Sequence, residues 1–246
     1  MFFRQLVFRV FMILLTLIIG GFSTAYAENH KAKDVMEQKK MKRVILVGAS
    51  VGRAWDFPDL PARLERDDYI FEYIGVYEFD KTPALMKLFN RKQDKPDAII
   101  IKECAAYFPG DLDRYQLIIE KMVEKCKAQG VEPILSTVVP VTTPPFGTKE
   151  YFKDFLRRFW PGKIPMEDRL QSILEYNDWV RDFAKQCNLL VLDLEKAVRV
   201  SSTDRRLEKE FTSGDGLHLN RAAYQELDKL IVEMLPFLKE RIARVQ

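Results

Sequence analysis

From about residue 44 to the C-terminus, short apolar runs alternate with amphipathic stretches. Val44–Val47, Ile70–Val76, Ala98–Ile101, Pro133–Val139 and Leu189–Leu192 read as strands. The third and fifth are continuous apolar runs, the pattern of strands buried on both faces of a parallel sheet. Between them, helices are predicted over roughly Gly52–Arg66, Pro83–Arg91, Leu112–Gln129, Met166–Gln186 and Asn220–Val245. Ile118, Ile119, Met122 and Val123 give the third helix an apolar face of period 3.6, and Gly130 is placed to stop it. Asn220 is a suitable cap for the last helix. Strands and helices alternating at this spacing predict a three-layer α/β domain around a mostly parallel five-stranded sheet.

Two segments break the pattern. Residues 140–165 are rich in Pro, Gly and aromatics, too apolar for a disordered tract and long for a loop in a compact domain. They read as a lid or substrate wall containing a short helix, or as a structural excursion packed on the domain edge. The first 27 residues read as an export signal. Arg4 and Arg9 form a positive start, Val10–Ile19 is apolar apart from Thr16, and Ala25-Tyr26-Ala27 is a cleavage signature. The apolar run is shorter than the roughly 20 residues of a spanning helix. A periplasmic or secreted domain spanning 42–246 is therefore expected, behind a polar tether over 28–41. Membrane contact is expected only through the signal, if it stays uncleaved.

Composition excludes more than it identifies. At 47% hydrophobic and 30% charged residues, the chain is that of a soluble globular protein. Its formal charge of +3, from 39 basic and 36 acidic residues, drops to +1 once Arg4 and Arg9 leave with the signal. A near-neutral chain gives no reason to expect nucleic acid or an acidic membrane surface as partner. Cys104, Cys126 and Cys187 match no metal-ligand spacing. In an oxidising compartment they allow one disulfide and a free thiol, while small buried thiols are the simpler expectation for at least two of them.

Two places carry chemistry. Val44–Val47 runs straight into Gly48-Ala49-Ser50-Val51-Gly52. Ligands bind beyond the carboxyl ends of the strands in an open α/β sheet, so Ser50 is expected exposed at a helix start. Near the C-terminus stands Gly214-Asp215-Gly216-Leu217-His218-Leu219-Asn220. A serine hydroxyl needs a base to take its proton, and the base needs an acceptor to fix its tautomer. Asp215 is spaced to hold Nδ1 of His218, and the other histidine, His30, lies in the tether. Gly48–Gly52 also satisfies G-x-S-x-G, but the strands that precede a nucleophile elbow have no room upstream. A dinucleotide-binding turn, with Tyr77 and Lys81 as a reductase pair, lacks the third glycine and leaves the Asp-His element unexplained.

On these residues the chain resembles the SGNH, or GDSL-like, hydrolases over about 43–240. Gly48-Ala49-Ser50 corresponds to the family's first block, with Ala where Asp is usual, and Asp215 with His218 corresponds to its final D-x-x-H block. The resemblance implies a flavodoxin-like α/β/α fold and hydrolysis or transfer of acyl esters. It further implies a Ser50–His218–Asp215 triad, an oxyanion hole formed by the N–H groups of Ser50 and Gly75, and no metal or cofactor. Tyr176, Asn177 and Asp193 fall where related sequences carry similar residues. The third block departs: after Ala98–Ile101 comes Lys102-Glu103-Cys104-Ala105-Ala106-Tyr107, without the usual oxyanion-hole Asn. Lys102 or Glu103 is expected either to take a site role or to form a surface ion pair. A lipid, glycan or small ester is the expected substrate. A polysaccharide O-acyltransferase and a non-catalytic binding protein share the same scaffold.

Overall fold

The computed structural model describes residues 41–90, 95–104, 111–143, 148–160 and 163–245. The signal, the tether apart from Met41, and residues 144–147 and 161–162 of the proline-rich segment lie outside the described residues. The sheet comprises β1 (Lys42–Gly48), β2 (Tyr69–Gly75), β3 (Ala98–Ile101), β4 (Glu132–Ser136) and β5 (Leu190–Leu192). All pairings are parallel, in the order β2-β1-β3-β4-β5. That is the flavodoxin-like winding, with its switch point between β1 and β3.

Because neighbouring side chains on a strand point to opposite faces, β1 feeds two cores. Val44 and Leu46 pack with α1 (Ser50–Ala54), α2 (Leu60–Arg63), α7 (Leu194–Val198) and the long α8 (Arg221–Val245). Ile45 and Val47 pack on the other face with α3 (Thr82–Phe89), α4 (Leu112–Ala128) and α6 (Met166–Cys187). Every residue of β3 is fully buried, which is why this strand is an unbroken apolar run. Gly130 ends α4 with φ +61°, and Asn220 Oδ1 accepts from Ala223 N at 3.1 Å to cap α8.

The differences from the sequence pattern have local causes. The single helix expected over Gly52–Arg66 is split into α1, a 3-10 turn (Phe57–Asp59) and α2. Asp56 adopts a left-handed conformation, φ +52°, and Pro58 and Pro61 each begin a new turn instead of continuing the last. The strand expected over Pro133–Val139 ends at Ser136. Beyond it, Asn177 of α6 takes over as pairing partner: its Oδ1 accepts from Val138 N at 2.7 Å and its Nδ2 donates to Val138 O at 2.8 Å. All three cysteines are free thiols, so the disulfide does not form. Only Cys126 is buried, and burial pushes its thiol up to about 12. Cys104 and Cys187 are half-buried.

Candidate active site

Ser50 is half-buried and opens α1, directly beyond the carboxyl end of β1. The turn that presents it is tight. A Cβ on Gly48 would lie 2.9 Å from the Lys102 carbonyl oxygen, and one on Gly52 would lie 2.7 Å from the Tyr73 ring. Tyr73 explains the second glycine, since its hydroxyl reaches the carbonyls of Gly48 and Ala49 at 3.1 and 2.9 Å. Burial, followed by the nearby Tyr77, holds the Tyr73 phenol up at about 12, so it remains a donor to the turn at neutral pH. The sequence reading missed this residue, although its alternation with Phe71 and Gly75 along β2 was visible.

The Asp-His element forms a compact loop. Asp215 Oδ1 accepts from the backbone N–H groups of Leu217 and His218, at 2.9 and 2.8 Å, while Oδ2 meets His218 Nδ1 at 2.6 Å. Burial works to raise the Asp215 carboxyl, but the bonds from His218 and Leu217 outweigh it and hold it below its usual range. Thr212 Oγ1 accepts from Gly214 N and Gly216 N, and His218 O accepts from Ser213 N at 2.8 Å. Gly214 and Gly216 have φ +107° and +74°, conformations that favour glycine. With Nδ1 engaged, the exposed imidazole has only Nε2 available for proton transfer.

Ser50 and His218 line one cavity of about 210 Å³. Its apolar wall is Val138, Val139 and Val141, the chain leaving β4. Asn177 holds the start of that wall, and Thr142 N donates to Gly216 O at 3.0 Å, tying its end to the histidine loop. Asn177 Nδ2 also donates to Glu195 Oε2 at 2.9 Å. Glu195 is fully buried and takes bonds from Arg181 and Arg205 as well. Burial alone would raise its carboxyl, but these bonds overcompensate and bring it down to about 2. Asp193 caps α7 through Lys196 N and pairs with Arg181.

The Lys102–Glu103 pair is not a surface ion pair: both side chains are buried, at 2% and 0% exposure, and both line the cavity. Their roles differ. Glu103 Oε2 is taken by Lys81 Nζ and by Tyr115 Oη, the latter at 2.6 Å, all in the interior. Its Oε1 is buried without a hydrogen-bond partner among the described residues. Lys102 Nζ donates to the Glu103 carbonyl at 3.0 Å, and burial lowers its ammonium to about 8. Arg169, at the start of α6, contributes a buried Nε that also has no hydrogen-bond partner among the described residues. Gly75, paired with Gly48 across β1 and β2, stands beside this arrangement and is not among the residues lining the cavity. Among the described residues, no group of three or more His, Cys, Asp or Glu side chains is arranged to hold a metal ion.

The fold is shared with solved structures of GDSL-like and SGNH hydrolases. Solved structures that share it include a GDSL-like lipase from Bacteroides thetaiotaomicron, with TM-score 0.58 and 18% identity over 85% of this chain and 96% of that one. A candidate acylhydrolase from Bacteroides fragilis aligns with TM-score 0.59 and 22% identity over 86% and 95%. The esterase EstA from Pseudoalteromonas aligns with TM-score 0.51 and 13% identity over 81% and 99%. No protein-family model and no curated relative matches the sequence.

Proposed function

We propose that the chain is an exported serine ester hydrolase working through an acyl-enzyme. The observation that carries this reading is the joint presence of Ser50 and His218 on one cavity, with the imidazole held at Nδ1 by Asp215. His218 Nε2 takes the Ser50 proton as Oγ attacks the ester carbonyl. The same nitrogen then protonates the departing alcohol. Water, deprotonated by His218, cleaves the acyl-serine and releases the acid. The alignment with esterases and lipases supports an ester over other substrates.

Charge developing on the carbonyl oxygen needs donors that are in place beforehand. The N–H group of Ser50 supplies one, whereas Gly75, which the resemblance adds, does not line the cavity. Lys102 supplies a second, where the resemblance leads one to expect an Asn. An ammonium has three N–H donors, and the bond to Glu103 O uses one of them. The cavity is smaller than the roughly 300–1,000 Å³ typical of drug-sized ligand sites, which favours a short acyl group. Residues 1–27 act as the export signal, a role that N-terminal sequencing of the exported protein checks by finding Glu28 first.

Hydrolysis of p-nitrophenyl acetate and octanoate by residues 28–246 tests the proposal. The acetate is expected to be the better substrate. Ser50→Ala and His218→Ala should each lower kcat by about 10³-fold or more. Turnover that survives both substitutions would refute the triad.

A further inference from the structure

The proline-rich segment contains α5 (Thr148–Arg157), and this helix is turned inside out relative to an ordinary surface helix. Its inward contact is polar. Asp154 is buried, pairs with Arg157 at 3.1 Å and accepts from Met166 N at 2.9 Å. The large apolar side chains are exposed: Tyr151 and Phe152 are each 59% exposed, Phe155 48%, Phe159 71% and Trp160 65%, with Tyr151 and Phe155 flanking a groove shared with Thr143, Glu167 and Arg206. At 100° per residue, positions 151, 152, 155, 156, 159 and 160 fall on one half of the helix and the turn that continues it. Apolar surface gathered in this way marks an interaction site and not scattered exposure.

Charge identifies the partner. The segment 148–163 contains Lys149, Lys153, Arg157, Arg158 and Lys163 against Glu150 and Asp154. Asp154 is spent on the domain contact, whereas Lys153 and Arg158 are exposed at the two borders of the aromatic face. Two copies meeting through this face would bring like charges together along both borders. An anionic bilayer satisfies both features, since aromatic side chains enter the headgroup boundary while the flanking cations meet lipid phosphates. We propose that α5 is an interfacial anchor that docks the domain on anionic lipid. Arg169 lines the Ser50 cavity and also the outer groove formed by Lys153, Leu156, Arg157 and Trp160. Docking through α5 therefore brings the cavity to the membrane surface.

The anchor stands independently of the chemistry at Ser50, and its test reads binding alone. Among the described residues every core residue lies between Val44 and Ile242, so a chain of residues 28–246 keeps that core. This protein is to be sedimented with vesicles of equal parts phosphatidylcholine and phosphatidylglycerol, and with vesicles of phosphatidylcholine alone. Strong binding to the mixed vesicles is expected, weakening at least tenfold on the neutral ones and falling as salt rises. Phe152→Asp with Phe159→Asp is expected to abolish binding. Lys153→Glu with Arg158→Glu should weaken it by at least tenfold. These side chains are exposed, so the circular dichroism and melting temperature of the variants should match wild type. Absence of vesicle binding would overturn the proposal. So would binding that ignores the substitutions, or self-association through Phe152 and Phe159 without vesicle binding.

Discussion

At the residue scale, the balance of burial against charge makes Lys102 the most informative side chain. Its ammonium is fully buried and its bond is to a backbone carbonyl, with no carboxylate in a salt bridge to it among the described residues. Burial lowers it from 10.5 to about 8, a cost to folding on the order of 3 kcal/mol while the group is charged. The sign follows from proton uptake. Between pH 8 and 10.5 the unfolded chain binds the proton more readily, so this cost is full below pH 8 and is relieved as pH rises towards 10.5. Lys102→Met should therefore raise the melting temperature at pH 7 while lowering kcat/KM by about 10²–10³, the usual loss for one oxyanion donor. In wild type, kcat/KM should decline as pH rises through about 8. A variant with normal turnover would show that the lysine is not the missing donor. Tyr73→Phe is milder. Removing its hydroxyl from the Gly48 and Ala49 carbonyls leaves the fold intact and should lower kcat several-fold, about 1 kcal/mol.

At the element scale, one helix organises the site from behind. Asn177 on α6 fixes the chain leaving β4 and simultaneously contacts Glu195 at the start of α7. Glu195 is fully buried against the half-buried Arg181 and Arg205, which keep Asp193 and Asp178 as further partners, so neutralising it leaves the two guanidinium groups only partly compensated. Glu195→Gln should cost about 3–5 kcal/mol, lowering the melting temperature by roughly 10 °C at pH 7. Since the carboxyl lies near 2 in the folded state and 4.5 is its ordinary value, its contribution is complete above pH 4.5 and is lost as pH falls towards 2. The melting curves of wild type and variant should therefore converge on acidification. A gap independent of pH between 5 and 2 would contradict this assignment.

At the scale of the whole molecule, the parallel sheet was legible because β3 is buried on both faces and leaves an unbroken apolar run, whereas β5, expected to be the same, is a half-buried edge strand. The Ser50 turn and the Asp-His loop were legible because their spacing is local: glycines that a Cβ would obstruct, and a carboxylate three residues before the imidazole it holds. Tyr73 and Arg169 were not, because they reach the site from other elements and nothing in their local sequence marks the destination. Asn177 was marked by resemblance alone, and its contact with Val138 spans 39 residues. Net charge hid the anchor as well. A chain near neutrality overall still concentrates its cations beside the aromatics of α5, a local asymmetry that averaging removes.

The central claim, an activated serine at position 50, is tested most directly by labelling residues 28–246 with a fluorophosphonate probe and mapping the adduct by mass spectrometry. One adduct on Ser50 is expected, formed by wild type, lost in Ser50→Ala and slowed at least a hundredfold in His218→Ala. A folded wild-type protein that takes up no label, or takes it up at another residue, would contradict it.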